Sequence, residues 1–235
     1  MPLALSLVLT ILCSAALGAL NQKLVHESLS KRDASPLVQM IASLGTLAVM
    51  QNVAAIWFTP NFTTFSFPWR LTMATWGPIS LSYPQIITAV GSVIAAGALM
   101  LFSTRTELGS RIRAVASNRE LAEITLLRPY RVYVYVLAIA SGLVAIPSVF
   151  VGVDQAMQPY TSILVLLMAV IAVIAGGIGS LPGAFIVSIA LSVLQSVVLS
   201  VVPGRWSIAL TFGIFIIFIL AKPTGLFQTR LKRAS

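Results

Sequence analysis

The sequence predicts an all-α fold, a polytopic bundle of about seven membrane-spanning helices with its N-terminus outside and its C-terminus in the cytoplasm. Three observations predict it. Only 9% of the 235 residues are charged while 58% are hydrophobic. The apolar residues gather into seven stretches, none with an Asp, Glu, Lys or Arg between its ends. The basic residues divide unevenly among the connectors in between.

Composition comes first because it fixes the solvent. A soluble domain of this length carries about a quarter charged residues to cover its surface. With 9%, most of the surface must face something other than water. The net charge of +9 raises the possibility of nucleic acid, but the basic residues sit in short connectors and form no continuous basic face. A nucleic-acid partner is therefore not expected, and the lipid bilayer is.

The seven stretches are Leu3–Leu20, Leu37–Phe58, Ile86–Phe102, Val132–Val153, Thr161–Ile178, Phe185–Val202 and Trp206–Ala221. About 20 apolar residues cross the hydrocarbon, and about 17 still suffice. Lipid offers no partner to free backbone groups, so each stretch is expected to be helical. The last is marginal in length. The first has a rival reading as a signal peptide, but it lacks a basic leading region and is followed by basic residues.

Orientation follows from charge. Alternating spans with a cytoplasmic C-terminus put 13 basic residues on one side: Lys23, Lys31, Arg32, Arg105, Arg111, Arg113, Arg119, Arg128, Arg131, Lys222, Arg230, Lys232 and Arg233. The other side receives 2, Arg70 and Arg205. Such a bias in short connectors marks the cytoplasmic face. All four tryptophans, Trp57, Trp69, Trp76 and Trp206, fall on the opposite side, as interfacial rings should.

The connectors differ in kind. Residues 59–84, with Pro60, Pro68, Pro78 and Pro84, read as a long outer loop lying along the interface. Residues 105–131 hold the richest polar sequence. There Ser117 precedes Glu120 by three, the capping-box spacing, so a short helix is expected to begin near Asn118. Leu121, Ile124 and Thr125 would share one of its faces, leaving Arg119 and Glu123 as an exposed pair. Such a helix suits docking to a cytoplasmic partner. The plainer alternative is a solvated loop obeying the positive-inside rule.

Between the fifth and sixth spans runs Gly176-Gly-Ile-Gly-Ser-Leu-Pro-Gly-Ala184. Glycine permits close backbone approach and Pro182 forbids a continuous helix. Broken backbone at membrane depth is tolerated where it lines a cavity or is buried in protein. The segment is thus either part of a translocation path or subunit contact, or a turn between helices. Asp154 and Gln155, at the outer end of the fourth span, are a possible substrate or partner contact, with ordinary rim solubility as the alternative. Pro147 is expected to kink that span. Cys13 reads as a small packing residue and His26 as a solvated one.

Absences narrow the chemistry. No G-x-x-x-x-G-K-[ST] loop is present, so ATP hydrolysis is not expected on this chain. No nucleophile triad or H-E-x-x-H pattern is present, so neither an enzyme nor a metal site is expected. Ion-coupled carriers place ionisable groups within their spans, and these spans hold none. Uphill transport would need energy delivered through the connectors by another chain.

These residues resemble a known family. The run Gly109, Arg113, Ala114, Asn118, Ala122, Leu127, then Gly176–Ala184, then Lys222-Pro-Thr-Gly-Leu226, is similar to the branched-chain amino acid ABC transporter permeases. Leu37–Asn52 resembles the corresponding helix of that family, and the likeness covers nearly the whole chain. It implies a single transmembrane permease domain over residues 1–235 in a bacterial inner membrane. It also implies a second homologous permease, two cytoplasmic ATPase subunits that use the ATP, and a periplasmic solute-binding protein, with no cofactor on this chain. Carried over by position, Arg113, Ala114, Asn118, Glu120 and Ala122 would face the ATPase. Gly176, Gly177, Gly179, Ser180, Pro182 and Gly183 would form a helix break beside the path. The likeness starts partway through the family pattern: the Asn-Phe-Ala-His-Gly-like segment near the family's N-terminus has no counterpart, so the expectation is either a shortened relative or helices supplied elsewhere. Leu126-Leu127-Arg128 stands where the family has Leu-Leu-Gly. The Arg-Ala-Val-x-x-Asn-Arg run also resembles the urea and amide relatives, so the solute stays open. A non-transporting membrane scaffold or degenerate permease fragment is the reading from a different class.

Overall fold

The computed structural model describes residues 3–58, 61–62, 73–76, 79–124 and 128–201, with isolated positions between 206 and 216. The polypeptide divides into two compact units, Met1–Tyr160 and Thr161–Ser235.

In the first unit, α1 (Leu3–Asn21) runs into a π-helical turn (Gln22–His26) and then α2 (Glu27–Ser30). The backbone never leaves helical conformation there, so one apolar helix extends from Leu5 to Ser30. Part of the basic connector expected after Leu20 is therefore the last turns of the first span. Asp33 follows in the left-handed region, at φ 49°, and Pro36 opens α3 (Pro36–Phe58). Proline suits a first helical position because its missing N–H would have no partner there.

Within the proline-rich loop, β1 (Met73–Trp76) and β2 (Ile79–Ser82) pair antiparallel, Met73 opposite Ser82 and Trp76 opposite Ile79. This small hairpin adds strand structure to a region expected to be loop. Ser82 then caps α4 (Tyr83–Arg105), and Gln85 bonds back to the Ser82 amide at 3.3 Å. That reciprocal arrangement satisfies amides that the first helical turn leaves free.

Two short helices follow, α5 (Glu107–Ser117) and α6 (Arg119–Ile124), and then α7 (Pro129–Asp154). At about 1.5 Å per residue, the 23 residues of α3 and of α4 and the 26 of α7 are all long enough to span the hydrocarbon. Pro147 lies inside α7, which continues through it to Asp154.

The unit is held together where α1 and α7 cross. Lipid supplies no hydrophobic drive between spans, so small residues that bring backbones close carry the packing. Here the Ser14 hydroxyl donates to the Ser141 carbonyl at 2.8 Å. A Cβ at Gly18 would stand 2.8 Å from the Leu137 carbonyl oxygen, and one at Gly142 would meet Ile11 and Ala15. Positions rising along α1 meet positions falling along α7, so the two run antiparallel. Cys13, on the same helix, is exposed and does not join this packing.

The second unit contains α8 (Thr161–Gly176) and α9 (Leu181–Val201). Ile171, Ala175 and Val187 form its core, flanked by Met168, Leu191 and Phe212. α8 has 16 residues, short for a span crossing alone. Among the described residues five helices are long and apolar enough to cross, with α8 as a shorter sixth. The expected seventh, Trp206–Ala221, lies mostly outside the described residues.

Candidate functional site

The connector from Arg105 to Arg131 is folded around a single threonine. The Thr106 hydroxyl donates to the Phe102 carbonyl of α4 at 2.7 Å and accepts from the Gly109 amide of α5 at 3.0 Å. It closes one helix and opens the next. The chain reverses so tightly that a Cβ at Gly109 would overlap the carbonyls of Phe102 and Ser103. Glycine is required there by contact, not by an unusual φ.

The inner face of α5 then docks on α7. Val115 of α5, Ala122 of α6 and Val132 of α7 form a buried cluster, with Ile112, Tyr133 and Val136 packed against it. Asn118 breaks the helix between, and its side-chain oxygen accepts from the Leu121 amide at 3.1 Å, capping α6. The cap is thus Asn118 itself, where the sequence pointed to a Ser117–Glu120 box. The sequence reading also missed α5. The available signal was Thr106 just before Glu107, followed by the i,i+4 pair Glu107–Arg111, which meets at 3.6 Å on the exposed face.

Of the residues assigned by resemblance to an ATPase-facing surface, Arg113, Ala114 and Asn118 are exposed. Ala122 is only 4% exposed and packs within its own chain, where its single methyl lets α6 approach Val132. The Glu120 side chain lies outside the described residues. Leu121 and Ile124 are 60% and 77% exposed. They share a face as expected, and that face turns outward while Ala122 packs. Two leucine-sized apolar side chains are therefore exposed on the same connector that exposes Arg113, Ala114 and Asn118.

In the second unit the glycine-rich segment forms a hairpin between α8 and α9. Gly177 and Gly179 adopt φ 102° and 92°, which L side chains rarely occupy. The Gly177 amide closes α8 onto Val173 and Ile174 at 3.1 and 3.2 Å. The Ser180 amide bonds to Gly177 at 3.0 Å, and its hydroxyl accepts from the Gly183 amide at 3.2 Å to start α9. Pro182 falls in the first turn of α9, where it costs no intrahelical bond. A Cβ at Gly176 would stand 2.6 Å from the Ala184 Cα, so the two helix ends touch backbone to backbone.

Asp154 ends α7 beside the start of α4. Its two carboxylate oxygens accept from the Ser82 hydroxyl at 2.8 Å and from Gln85 Nε2 at 3.2 Å. Both oxygens thus have partners within the chain. Gln155 is exposed, and its amide closes α7 onto Val151 at 2.8 Å.

Comparison with known proteins gives one consistent answer. The family described as branched-chain amino acid transport system, permease component, matches residues 1–219. The high-affinity branched-chain amino acid transport system permease protein BraD of Pseudomonas aeruginosa is 24% identical over 224 residues, covering 92% of this chain and 72% of that protein. The corresponding LivH proteins of Salmonella typhimurium and Escherichia coli K12 are each 23% identical over 202 residues, 83% of this chain. The match spans 65% of each LivH protein's length. No solved structure matches significantly.

Proposed function

The chain belongs to the branched-chain amino acid transport permease family, and from that premise we propose that it forms part of the membrane path of an ATP-driven importer for branched-chain amino acids. ATP is hydrolysed on separate cytoplasmic subunits, a second permease completes the path, and a periplasmic binding protein delivers the solute in a bacterial inner membrane. The substrate class is that named for BraD and LivH.

One observation carries the mechanical part. The α5–α6 connector is packed against the spans on one side and exposed on the other. Thr106 fastens it to α4, and the Val115–Ala122–Val132 cluster fastens it to α7. A force applied to Arg113, Leu121 or Ile124 is therefore delivered to two spans at once. Packed interfaces switch between discrete arrangements instead of deforming smoothly. ATPase closure acting here would shift α4 and α7 together and change which side of the membrane the path opens to. Gly177 and Gly179, which fix the α8–α9 hairpin, serve this reading as the tight turn joining two helices of the path.

The test is reconstitution in proteoliposomes with the cognate permease, ATPases and binding protein, measuring leucine uptake and ATPase co-purification. Arg113→Glu combined with Ile124→Glu should abolish uptake and release the ATPase while α-helical content is unchanged. Uptake that persists with both substitutions refutes the assignment of the connector as the drive site.

A further inference from the structure

We propose that the cavity between the π-helical turn and α2, which prolong α1, and the start of α7 is a binding site for the phosphodiester head group of an anionic phospholipid. The cavity has a volume of 370 Å³ and is lined by Lys23, Glu27, Tyr130, Arg131, Val134 and Tyr135.

Its position in the bilayer is the first argument. The apolar run from Leu5 to Leu20 covers about 24 Å at 1.5 Å per residue, and Lys23 is the first charge after it. Arg131 is the last charge before the apolar length of α7 begins at Val132. The two helices are antiparallel, so both boundaries fall at the same end. The cavity thus straddles the level where hydrocarbon gives way to head groups, with Val134 and Tyr135 on the apolar side and Lys23 and Arg131 on the polar side. Tyrosine, apolar in body and polar at the tip, favours that level.

Charge is the second argument. The one carboxylate in the cavity, Glu27, is engaged by Lys31 at 2.7 Å, outside the cavity lining. Among the described residues no carboxylate pairs with Lys23 or Arg131. Two cations on facing helices with an apolar wall beneath them fit a phosphate that carries acyl chains. Basic pockets between spans recognise anionic lipid heads in this way. A free phosphate has the same head chemistry but makes no use of Val134 and Tyr135.

Native mass spectrometry of the full chain released from detergent tests the proposal, with phosphatidylglycerol, phosphatidylcholine or inorganic phosphate added. Phosphatidylglycerol should be retained several-fold over phosphatidylcholine. Lys23→Ala with Arg131→Ala should lower its retention by about fivefold for each charge removed. Glu27→Gln should raise retention by about fivefold, a gain that a misfolded variant cannot mimic. Equal retention of the two lipids, a double variant that folds yet retains phosphatidylglycerol unchanged, or no gain with Glu27→Gln overturns the site. Displacement of the lipid by millimolar inorganic phosphate overturns the lipid assignment in favour of a free anion.

Discussion

The hydroxyl of Ser82 donates to the carboxylate of Asp154 at 2.8 Å, joining residues 72 positions apart at the start of α4 and the end of α7. With Gln85 on the other oxygen, this one acid couples the two spans that also carry the α5–α6 connector at their opposite ends. A carboxylate beside a helix N-terminus also opposes the partial positive charge there. The contact therefore ties the start of α4 to the end of α7, remote from the connector.

Asp154→Ala should lower the thermal midpoint in detergent by a few degrees, the loss expected from one or two charge-assisted hydrogen bonds. Asp154→Asn should lose less, because the amide oxygen still accepts from Ser82. Thermal unfolding together with the uptake KM checks this. A raised KM with an unchanged midpoint would assign Asp154 to substrate contact instead.

Gly18→Ala should destabilise by about 1–3 kcal/mol, because its methyl must displace the Leu137 carbonyl and Ser141 at the α1–α7 crossing. Gly45→Ala and Gly91→Ala have nothing within 4 Å of the added methyl and should stabilise by up to about 1 kcal/mol through helix propensity. Opposite signs in one unfolding assay would separate close packing from generic sensitivity of glycine.

Gly179→Ala should cost about 1–2 kcal/mol, since φ 92° is strained for any residue with a Cβ and no space constraint is present to confuse the result. Gly176→Ala should cost more, because the obstacle is the Ala184 backbone and not a movable side chain. Denaturation of the two variants side by side gives the ranking.

Thr106→Val keeps the side-chain shape but removes both side-chain hydrogen bonds at the α4–α5 joint. About 1 kcal/mol of cap stability should be lost, and uptake should fall while ATP hydrolysis by the partner subunits persists. Thr106→Ser should restore coupling. Equal coupling in all three proteins would show that the joint does not transmit force.

The connector marks how far sequence reasoning reaches. A helix near Asn118 was legible from the Ser117–Glu120 spacing, although its cap is Asn118 itself, and Leu121 and Ile124 on one face followed from helical period. That this face points outward was not legible, because period says which residues share a side and not which side is covered. The preceding helix was not legible, and neither was the tight reversal at Gly109, where the Phe102 and Ser103 carbonyls leave no room for a Cβ. The 73–82 hairpin was equally hidden, among prolines and glycine that read as loop.

By itself the sequence determined the solvent, the helical class and the family, because hydrophobicity, backbone satisfaction in lipid and a shared motif are written residue by residue. Only the tertiary structure decided that Ala122 packs inward, that Asp154 is held by Ser82 and Gln85, and that Ser14 and Gly18 meet Leu137 and Ser141. The physical reason is that these depend on which surfaces approach one another, from ten residues apart for Ala122 and Val132 to 127 for Ser14 and Ser141. Small side chains permit such an approach at many places, and the packing selects one.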